Sequence, residues 1–143
     1  MGLSESRLLV AVSSPWASQK FATPIVDLAR RLDAETLVAH VAQSQDEDED
    51  ESNAKQRGEE TLKLLTDVLR SAGVKADGLM LFSDDAPKAI LNTAKARHCT
   101  LIVLGLTSKS MFQRLLEGNV PANIIRQSSI PILLCPSDWN SVV

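Results

Sequence analysis

A chain of 143 residues with 44% hydrophobic side chains has the size of one compact domain with one core. No apolar run approaches the roughly 20 residues that cross a bilayer, and no charged-then-apolar leader opens the chain, so we expect no membrane association. The net charge is −3 and no stripe of Lys and Arg is interleaved with aromatic residues, which argues against a nucleic-acid surface.

The first three predicted elements are a strand, a helix and a strand. Arg7–Ser13 and Glu35–Ala42 are apolar runs of strand length, as expected for strands that are buried on both faces. Between them, residues 21–32 place apolar side chains at helical spacing. Pro24 lies inside this pattern. We therefore predict a helix that starts near Thr23 or is kinked there.

An unbroken run of six acids, Asp46–Glu51, follows the second strand. Outside this run the chain carries 15 Lys and Arg against 12 Asp and Glu, so the remaining body is slightly positive. We expect residues 43–53 to form a mobile, self-repelling loop, and the same run is the candidate docking segment for a basic protein partner. The helix after it ends at a glycine stop, Gly73, and its apolar face is formed by Leu62, Leu65, Leu69 and Ala72.

The next predicted elements are a strand, a helix and a strand. Lys75–Phe82 has the pattern of a third strand, although Gly78 weakens it. Asp85 is placed to cap a helix that has Pro87 in its first turn. Thr100–Leu104 is a fourth, apolar strand. The inner face of the helix between these strands is formed by Ile90, Leu91 and Ala94.

A short helix over about residues 119–127 and a fifth strand, Ile130–Cys135, complete the chain, and Pro131 lies inside this strand. Cys99 and Cys135 fall at the start and the end of predicted buried strands, where reduced thiols are favoured over a disulfide. Because no Cys and His residues cluster at ligand spacing, we expect no structural metal.

Five strands alternating with helices predict a single α/β domain. Its architecture is Rossmann-like, with a five-stranded, mostly parallel sheet and helices on both faces in three α/β/α layers. Ligands of such sheets bind outside the carboxyl ends of the strands, where the strand order reverses. The candidate positions at that edge are Ser13, Ser14, Val41, Ala42, Ser83–Asp85 and Gly105–Ser110.

These positions hold few catalytic groups. The first strand ends in Ser13–Pro15, which cannot hold a divalent cation, and the sequence nominates no base for either serine. Helix capping explains Asp84 and Asp85 more economically than a phosphoacceptor site does. His40 lies within a buried strand and is expected to be a satisfied core imidazole, whereas His98 is expected to face water at a helix end. We therefore predict no catalytic residue.

The segment Gly105–Val120 can be a phosphate cradle or an ordinary polar connection. The backbone N–H groups at the start of the last helix would face an anion whatever the side chains are. Asn119 can cap this helix and still direct its amide at a phosphate. Further donors in the segment are Thr107, Ser108, Lys109 and Ser110. Spacing alone leaves both interpretations open.

Four stretches carry a family resemblance: RLLVAVS, LARRLDAETLVAHV, DAPKAILNTAKARHCTLIVLG and, after the Gly-Asn pair, ANIIRQSSIPILLCP. Taken together, they make the chain similar to the universal stress protein family over nearly its whole length. The resemblance implies a cytoplasmic role in stress tolerance or signalling. It also implies a homodimer in which the last strand pairs with its copy, and the interface residues would be Ile130, Ile132 and Leu134.

The resemblance further implies an ATP site with the pattern Gly-x2-Gly-x9-Gly-Ser/Thr and an aspartate at the end of the first strand. Gly105 and Gly118 match the first and last glycines, and Val41 matches the valine whose main chain faces the adenine. Three positions depart from the pattern, where the middle glycine, the final Ser/Thr and the aspartate are replaced by Ser108, Asn119 and Ser13.

With these departures we predict a degenerate pocket, in which ATP or another adenine nucleotide binds weakly or not at all, and a module without catalysis of its own. The alternative is a functional adenine-nucleotide-binding protein with slow hydrolysis or self-phosphorylation. The candidate pocket residues are Ala11, Ser13, Val41, Gly105, Thr107, Ser108, Lys109, Gly118, Asn119 and Val120.

Overall fold

A computed structural model of the chain describes residues 5–42, 51–105, 120–136 and 138–139. In these ranges strands and helices alternate as β1 (Arg7–Ala11), α1 (Pro15–Leu32), β2 (Glu35–Ala42), α2 (Glu51–Ser71), β3 (Ala76–Phe82), α3 (Ala86–Ala96), β4 (Leu101–Gly105), α4 (Val120–Gln127) and β5 (Ile132–Cys135). The sheet has the order β3-β2-β1-β4-β5, and every neighbouring pair is parallel. The predicted five-stranded α/β fold is therefore confirmed. None of the described helices is long and apolar enough to cross a membrane.

One hydrophobic core lies on each face of the sheet, and β1 contributes to both. Leu8 and Val10 pack with the buried residues of α1 and α2, whereas Leu9 packs with those of α3 and α4. Leu8 and Leu9 are both fully buried, because successive residues of a strand point to opposite faces. The continuous apolar run of β1 is thus explained by helices on both of its sides.

Helix α1 begins earlier than the sequence pattern predicts. It starts at Pro15 and continues through Pro24, so the predicted start near Thr23 is wrong. The side chain of Ser14 caps the helix by accepting a hydrogen bond from the N–H of Ala17, at 3.1 Å between Oγ and N. A serine cap followed by proline at the first helical position is a strong start signal, because proline has no N–H to lose there. This signal outweighs the proline in the helix interior.

The ends of the other helices also follow local backbone chemistry. Asp85 caps α3 by accepting a hydrogen bond from the N–H of Lys88, at 3.2 Å, which confirms its predicted role. Past the ends of α1, α2 and α3 the chain turns through left-handed residues, with φ of 49° at Asp33, 83° at Gly73 and 56° at His98. Such residues end a helix by turning the chain out of its axis. His98 is exposed, as predicted.

Two boundaries differ from the expected ones. Helix α2 starts at Glu51, so the last residues of the predicted loop 43–53 are helical, while residues 43–50 lie outside the described ranges. Strand β5 starts at Ile132 because Pro131 has no N–H to donate and the backbone of Ile130 is held in a turn by the Ser128 hydroxyl.

Gly105, the last residue of β4, lies directly against Phe21 of α1. A Cβ atom built on Gly105 would lie 2.5 Å from Cε2 of Phe21, closer than any real carbon contact. Phe21 is buried in the core that α1 and α2 form on the sheet. The glycine is therefore required for helix α1 to pack on the end of β4.

We expect Ser14→Ala to lower the free energy of unfolding by about 1 kcal/mol, because the first turn of α1 loses its cap. In a chain of this size that corresponds to a fall in the thermal midpoint of roughly 4 °C, measurable by calorimetry. Ser13→Ala is the matched control, since Ser13 is exposed and is expected to change stability by less than about 0.5 kcal/mol. A larger fall for Ser13→Ala than for Ser14→Ala would show that the cap has been assigned to the wrong serine.

We expect Gly105→Ala to destabilise the protein by about 1–3 kcal/mol in the absence of any ligand, because the new methyl group meets the Phe21 ring. Gly78→Ala is the control in another strand, where the nearest atom would be Leu62 Cβ at 3.3 Å, and it should cost less. The pair Phe21→Leu and Gly105→Ala should be less destabilising than the sum of the single changes in urea denaturation. Strict additivity would contradict the contact.

Candidate functional site

The strand order reverses at β1, which has β2 on one side and β4 on the other. Ala11, the last residue of β1, pairs in register with Ala39 of β2 and Leu104 of β4. The chain continues from β1 into α1 and from β4 into residues 106–119 at this same edge of the sheet. A crevice at such a point is where open α/β sheets bind their ligands. The switch point of this sheet therefore lies between the ends of β1 and β4.

Four of the candidate pocket residues lie at this carboxyl edge. Ala11 and Gly105 end neighbouring strands, Ser13 follows β1, and Val41 lies near the end of β2. Val120 is the first residue of α4. The remaining candidates lie outside the described ranges: Thr107, Ser108, Lys109, Gly118 and Asn119.

Two contacts with β2 hold the turn between β1 and α1. The N–H of Val12 donates to the carbonyl of Ala39, at 2.9 Å. The carbonyl of Val12 lies 2.9 Å from Nδ1 of His40, a buried imidazole, which fits a hydrogen bond donated by that nitrogen. His40 is thus a satisfied core residue, as predicted, but the sequence did not show that its partner is the turn. Because Val12 is fixed on both sides, the turn presents Ser13 to solvent at the switch point.

The end of β2 brings a main-chain surface to the same edge. Val41 pairs in register with Leu81 of β3, and its half-buried side chain packs on the core beneath α3. Its position is therefore fixed by the sheet on one side and by the core on the other.

The described part of the edge contains no arrangement for metal or nucleophilic chemistry. No three His, Cys, Asp or Glu side chains gather there, or elsewhere in the described ranges, in a way that could hold a metal ion. Ser14 Oγ is engaged with the N–H of Ala17, and Nδ1 of His40 is engaged with Val12. After β3, the Ser83 hydroxyl accepts from the N–H of Asp85 and donates to its carbonyl, so these residues build the turn into α3.

The two cysteines are free thiols buried in opposite cores, which confirms the prediction that they form no disulfide with each other. Burial raises the pKa of the Cys135 thiol to about 11, and burial also raises the pKa of Cys99 above its ordinary value. Since the thiolate is the reactive form, both thiols are poor nucleophiles near neutral pH. They serve as small apolar core residues.

Two exposed aromatic side chains belong to elements that begin or end at the carboxyl edge, and the sequence analysis did not single them out. Trp16 in the first turn of α1 is 52% exposed, and Phe82, the last residue of β3, is 67% exposed. The signal for them was present in the sequence, because aromatic residues make up only 3% of the chain and both directly adjoin predicted strand ends or turns. Trp16 is a natural fluorescent reporter for events at this edge.

Solved structures of similar fold cover nearly the whole chain. A universal stress protein from Archaeoglobus fulgidus in complex with dAMP aligns with a TM-score of 0.65 at 18% identity, over 92% of this chain and 98% of that one. A universal stress protein family protein from Arabidopsis thaliana with AMP bound aligns with a TM-score of 0.62 at 17% identity, over 92% and 91%. At such identities the similarity shows the fold alone.

Comparison of the sequence, unlike comparison of the fold, shows the family. A universal stress protein of Methanocaldococcus jannaschii is 32% identical over 80 residues, which are 56% of this chain and 46% of the relative, so the match spans under half of the relative's length. The sequence pattern of the Universal stress protein family matches residues 6–136. Because that match includes both sides of the switch point and all five strands, the chain belongs to the universal stress protein family.

Proposed function

We propose that this chain is a dimeric, cytoplasmic stress-response module whose carboxyl-edge pocket binds adenine nucleotides weakly and catalyses no reaction. The observation that carries the proposal is the turn after β1, where the exposed residue at the switch point is Ser13 rather than a carboxylic acid. The edge that would hold a nucleotide is thus built, but its strongest polar partner is missing.

Support for the ligand class comes from the relatives with solved complexes. The structures from Archaeoglobus fulgidus and Arabidopsis thaliana contain dAMP and AMP, respectively. In this chain the equivalent fold brings Ala11, Val41 and Gly105 to one edge, as nucleotide sites of parallel sheets require. The main chain of Val41 would face the base, and the segment from Gly105 to Val120 would hold the phosphate through its N–H groups and Lys109.

Support for weak binding comes from the three replaced residues. A carboxylate at position 13 would make a charge-assisted hydrogen bond worth roughly 1.5–3 kcal/mol, which Ser13 cannot supply. Ser108 would cost on the order of 1 kcal/mol in a left-handed conformation that glycine adopts freely, and its side chain would crowd a phosphate. Together these losses correspond to binding about 100-fold weaker than in an intact site. Asn119 is the mildest change, because its amide still donates.

The alternative, slow ATP hydrolysis or self-phosphorylation, needs a group that holds a metal ion or activates a nucleophile. Ser13 offers no carboxylate for a metal, and Ser14 is engaged as a helix cap. We therefore favour a module that signals by binding over one that acts by catalysis.

The proposed dimer interface is the outer edge of the sheet at β5. This strand pairs with β4 on one side, and it is the last strand in the sheet order. A cavity of about 370 Å³ runs along it, lined by Ile125, Ser128, Ser129, Ile130, Pro131, Ile132 and Leu134. An apolar edge strand needs a partner for its unpaired N–H and C=O groups. A second copy of β5 would supply that partner and cover the three proposed interface residues Ile130, Ile132 and Leu134.

We expect the purified protein to carry no bound nucleotide, and ATP to bind with a dissociation constant of roughly 100 µM or weaker. The triple change Ser13→Asp, Ser108→Gly and Asn119→Ser should tighten ATP binding by about tenfold or more, because it restores the carboxylate and the close backbone approach. Isothermal calorimetry measures both constants, and AMP titrated in parallel shows whether the triphosphate matters.

The control for this change is Ser83→Asp, which adds a carboxylate at the same edge but after β3, and which should leave the affinity unchanged. Tight retention of ATP by the unmodified protein would overturn the proposal of a degenerate site. An unchanged affinity in the triple variant would show that other residues of the pocket weaken binding.

We expect Ile132→Lys to convert the dimer to monomers or aggregates, because a two-fold interface places the new charge opposite its own copy. Size-exclusion chromatography with light scattering measures the mass. Val68→Lys is the matched control, since Val68 is an exposed apolar residue on α2, remote from β5 in the fold, and this change should leave the mass unaltered. A dimer of unchanged stability in Ile132→Lys would place the interface on another surface.

A further inference from the structure

Helix α2 packs closely on β2 and β3 at Gly58, where Met80 of β3 and His40 of β2 lie against the helix. A Cβ atom built on Gly58 would lie 2.6 Å from Cε and 2.9 Å from Sδ of Met80, and 2.9 Å from Cδ2 of His40. The thioether of Met80 and the imidazole of His40 thus abut the same point of the helix backbone. An oxygen atom added to Sδ enlarges the end of this flexible side chain, and we expect the side chain to shift relative to Gly58 and His40.

We propose that Met80 is a site of reversible oxidation by hydroperoxides, and that its oxidation loosens α2 and the His40 contact that holds the β1–α1 turn. The modification itself rests on the packing around Met80. Its effect on a bound nucleotide rests, in addition, on the proposed function.

The chemistry needs only the thioether and a peroxide. A lone pair on Sδ attacks one peroxide oxygen, the O–O bond breaks as the S–O bond forms, and sulfur is oxidised by two electrons to the sulfoxide. The proton of the attacked oxygen passes to the departing oxygen, which leaves as water from hydrogen peroxide or as an alcohol from an organic hydroperoxide. No base or metal ion takes part, and the thioether has no proton to lose.

The position of Met80 makes it the reactive sulfur of the described chain. It is half-buried on β3, an edge strand of the sheet, and is therefore less enclosed than the two thiols. The two thiols, Cys99 and Cys135, are buried, and burial holds both in the protonated form that reacts slowly with peroxide. The other two methionines, Met1 and Met111, lie outside the described ranges.

Oxidation of Met80 affects the pocket through the contacts that link Met80 to His40 and His40 to Val12. The sulfoxide oxygen adds a polar, hydrated atom to a side chain that already touches the backbone of α2. On the other side of that contact is His40, whose Nδ1 lies 2.9 Å from the carbonyl of Val12. Val12 directly precedes Ser13, the residue at the switch point. A displaced imidazole therefore removes one of the two hydrogen bonds that hold the turn at the pocket, and the bond from Val12 N–H to Ala39 remains.

The test treats the folded protein with graded hydrogen peroxide and locates sulfoxide by peptide mass spectrometry, which separates the three methionines. We expect Met80 to be oxidised in the native protein. The thermal midpoint should fall as the oxidised fraction of Met80 rises, by about 4 °C or more when oxidation is complete. The NMR signals of the His40 ring should shift in the same samples. Treatment with methionine sulfoxide reductases should restore both readouts.

Two variants separate the modification from general damage. Met80→Leu keeps the volume but cannot be oxidised, so its midpoint and imidazole signals should not respond to peroxide. Gly58→Ala introduces the crowding without oxidation, and it should lower the midpoint and shift the His40 signals in untreated protein. Should Gly58→Ala fail to fold, Met80→Leu and the wild type still decide the matter.

The proposal is overturned if Met80 stays reduced until the protein unfolds, or if complete Met80 oxidation leaves the midpoint and the imidazole signals unchanged. It is also overturned if Met80→Leu responds to peroxide as the wild type does. These readouts need no nucleotide. A protein that shows the midpoint and imidazole effects but binds no nucleotide in any state would contradict the proposed function and not the modification.

Discussion

The burial of β1 on both faces is the constraint on which the rest of the structure depends. Six of the described elements are placed directly against this strand: β2 and β4 pair with its two sides, α1 and α2 cover one of its faces, and α3 and α4 cover the other. A strand with Leu8, Leu9 and Val10 at 0–2% exposure has no polar face to leave in water. Right-handed crossovers cover both faces only if the sheet grows first to one side of β1 and then to the other, and the ligand crevice lies where this direction reverses.

The shape of the candidate site is therefore set by turns of the backbone more than by the side chains at the site. The position of Ser13 is set by a serine cap one residue later and by two hydrogen bonds of Val12 to β2. None of these contacts involves the side chain at position 13, so the shape of the turn does not depend on which residue stands there. This separates family membership, which the scaffold carries, from ligand affinity, which a few exchangeable groups carry. The two properties need not change together.

The fold could be predicted from the sequence because periodicity and stop signals report local physics. The run Arg7–Ala11, the cap at Asp85 and the glycine stop at Gly73 each act within a few residues of themselves. What the sequence could not show depends on contacts between distant residues. The partner of His40 is 28 residues away, and the contact of Gly105 with Phe21 joins an end of the sheet to a helix packed on it. The start of α1 differs from the predicted one because the Ser14-Pro15 start signal outweighs the helix-breaking tendency of Pro24.

The contact between Gly105 and Phe21 changes what a glycine in a sequence signature can tell about a protein's history. A residue that a ligand alone requires is free to change in any lineage that stops using the ligand. A residue that the core requires as well is kept under selection by stability after the ligand has gone. Gly105 would thus outlast the loss of binding, and its presence in a descendant is evidence of the scaffold. The informative positions for tracing nucleotide binding through such a lineage are the ones that the core does not need.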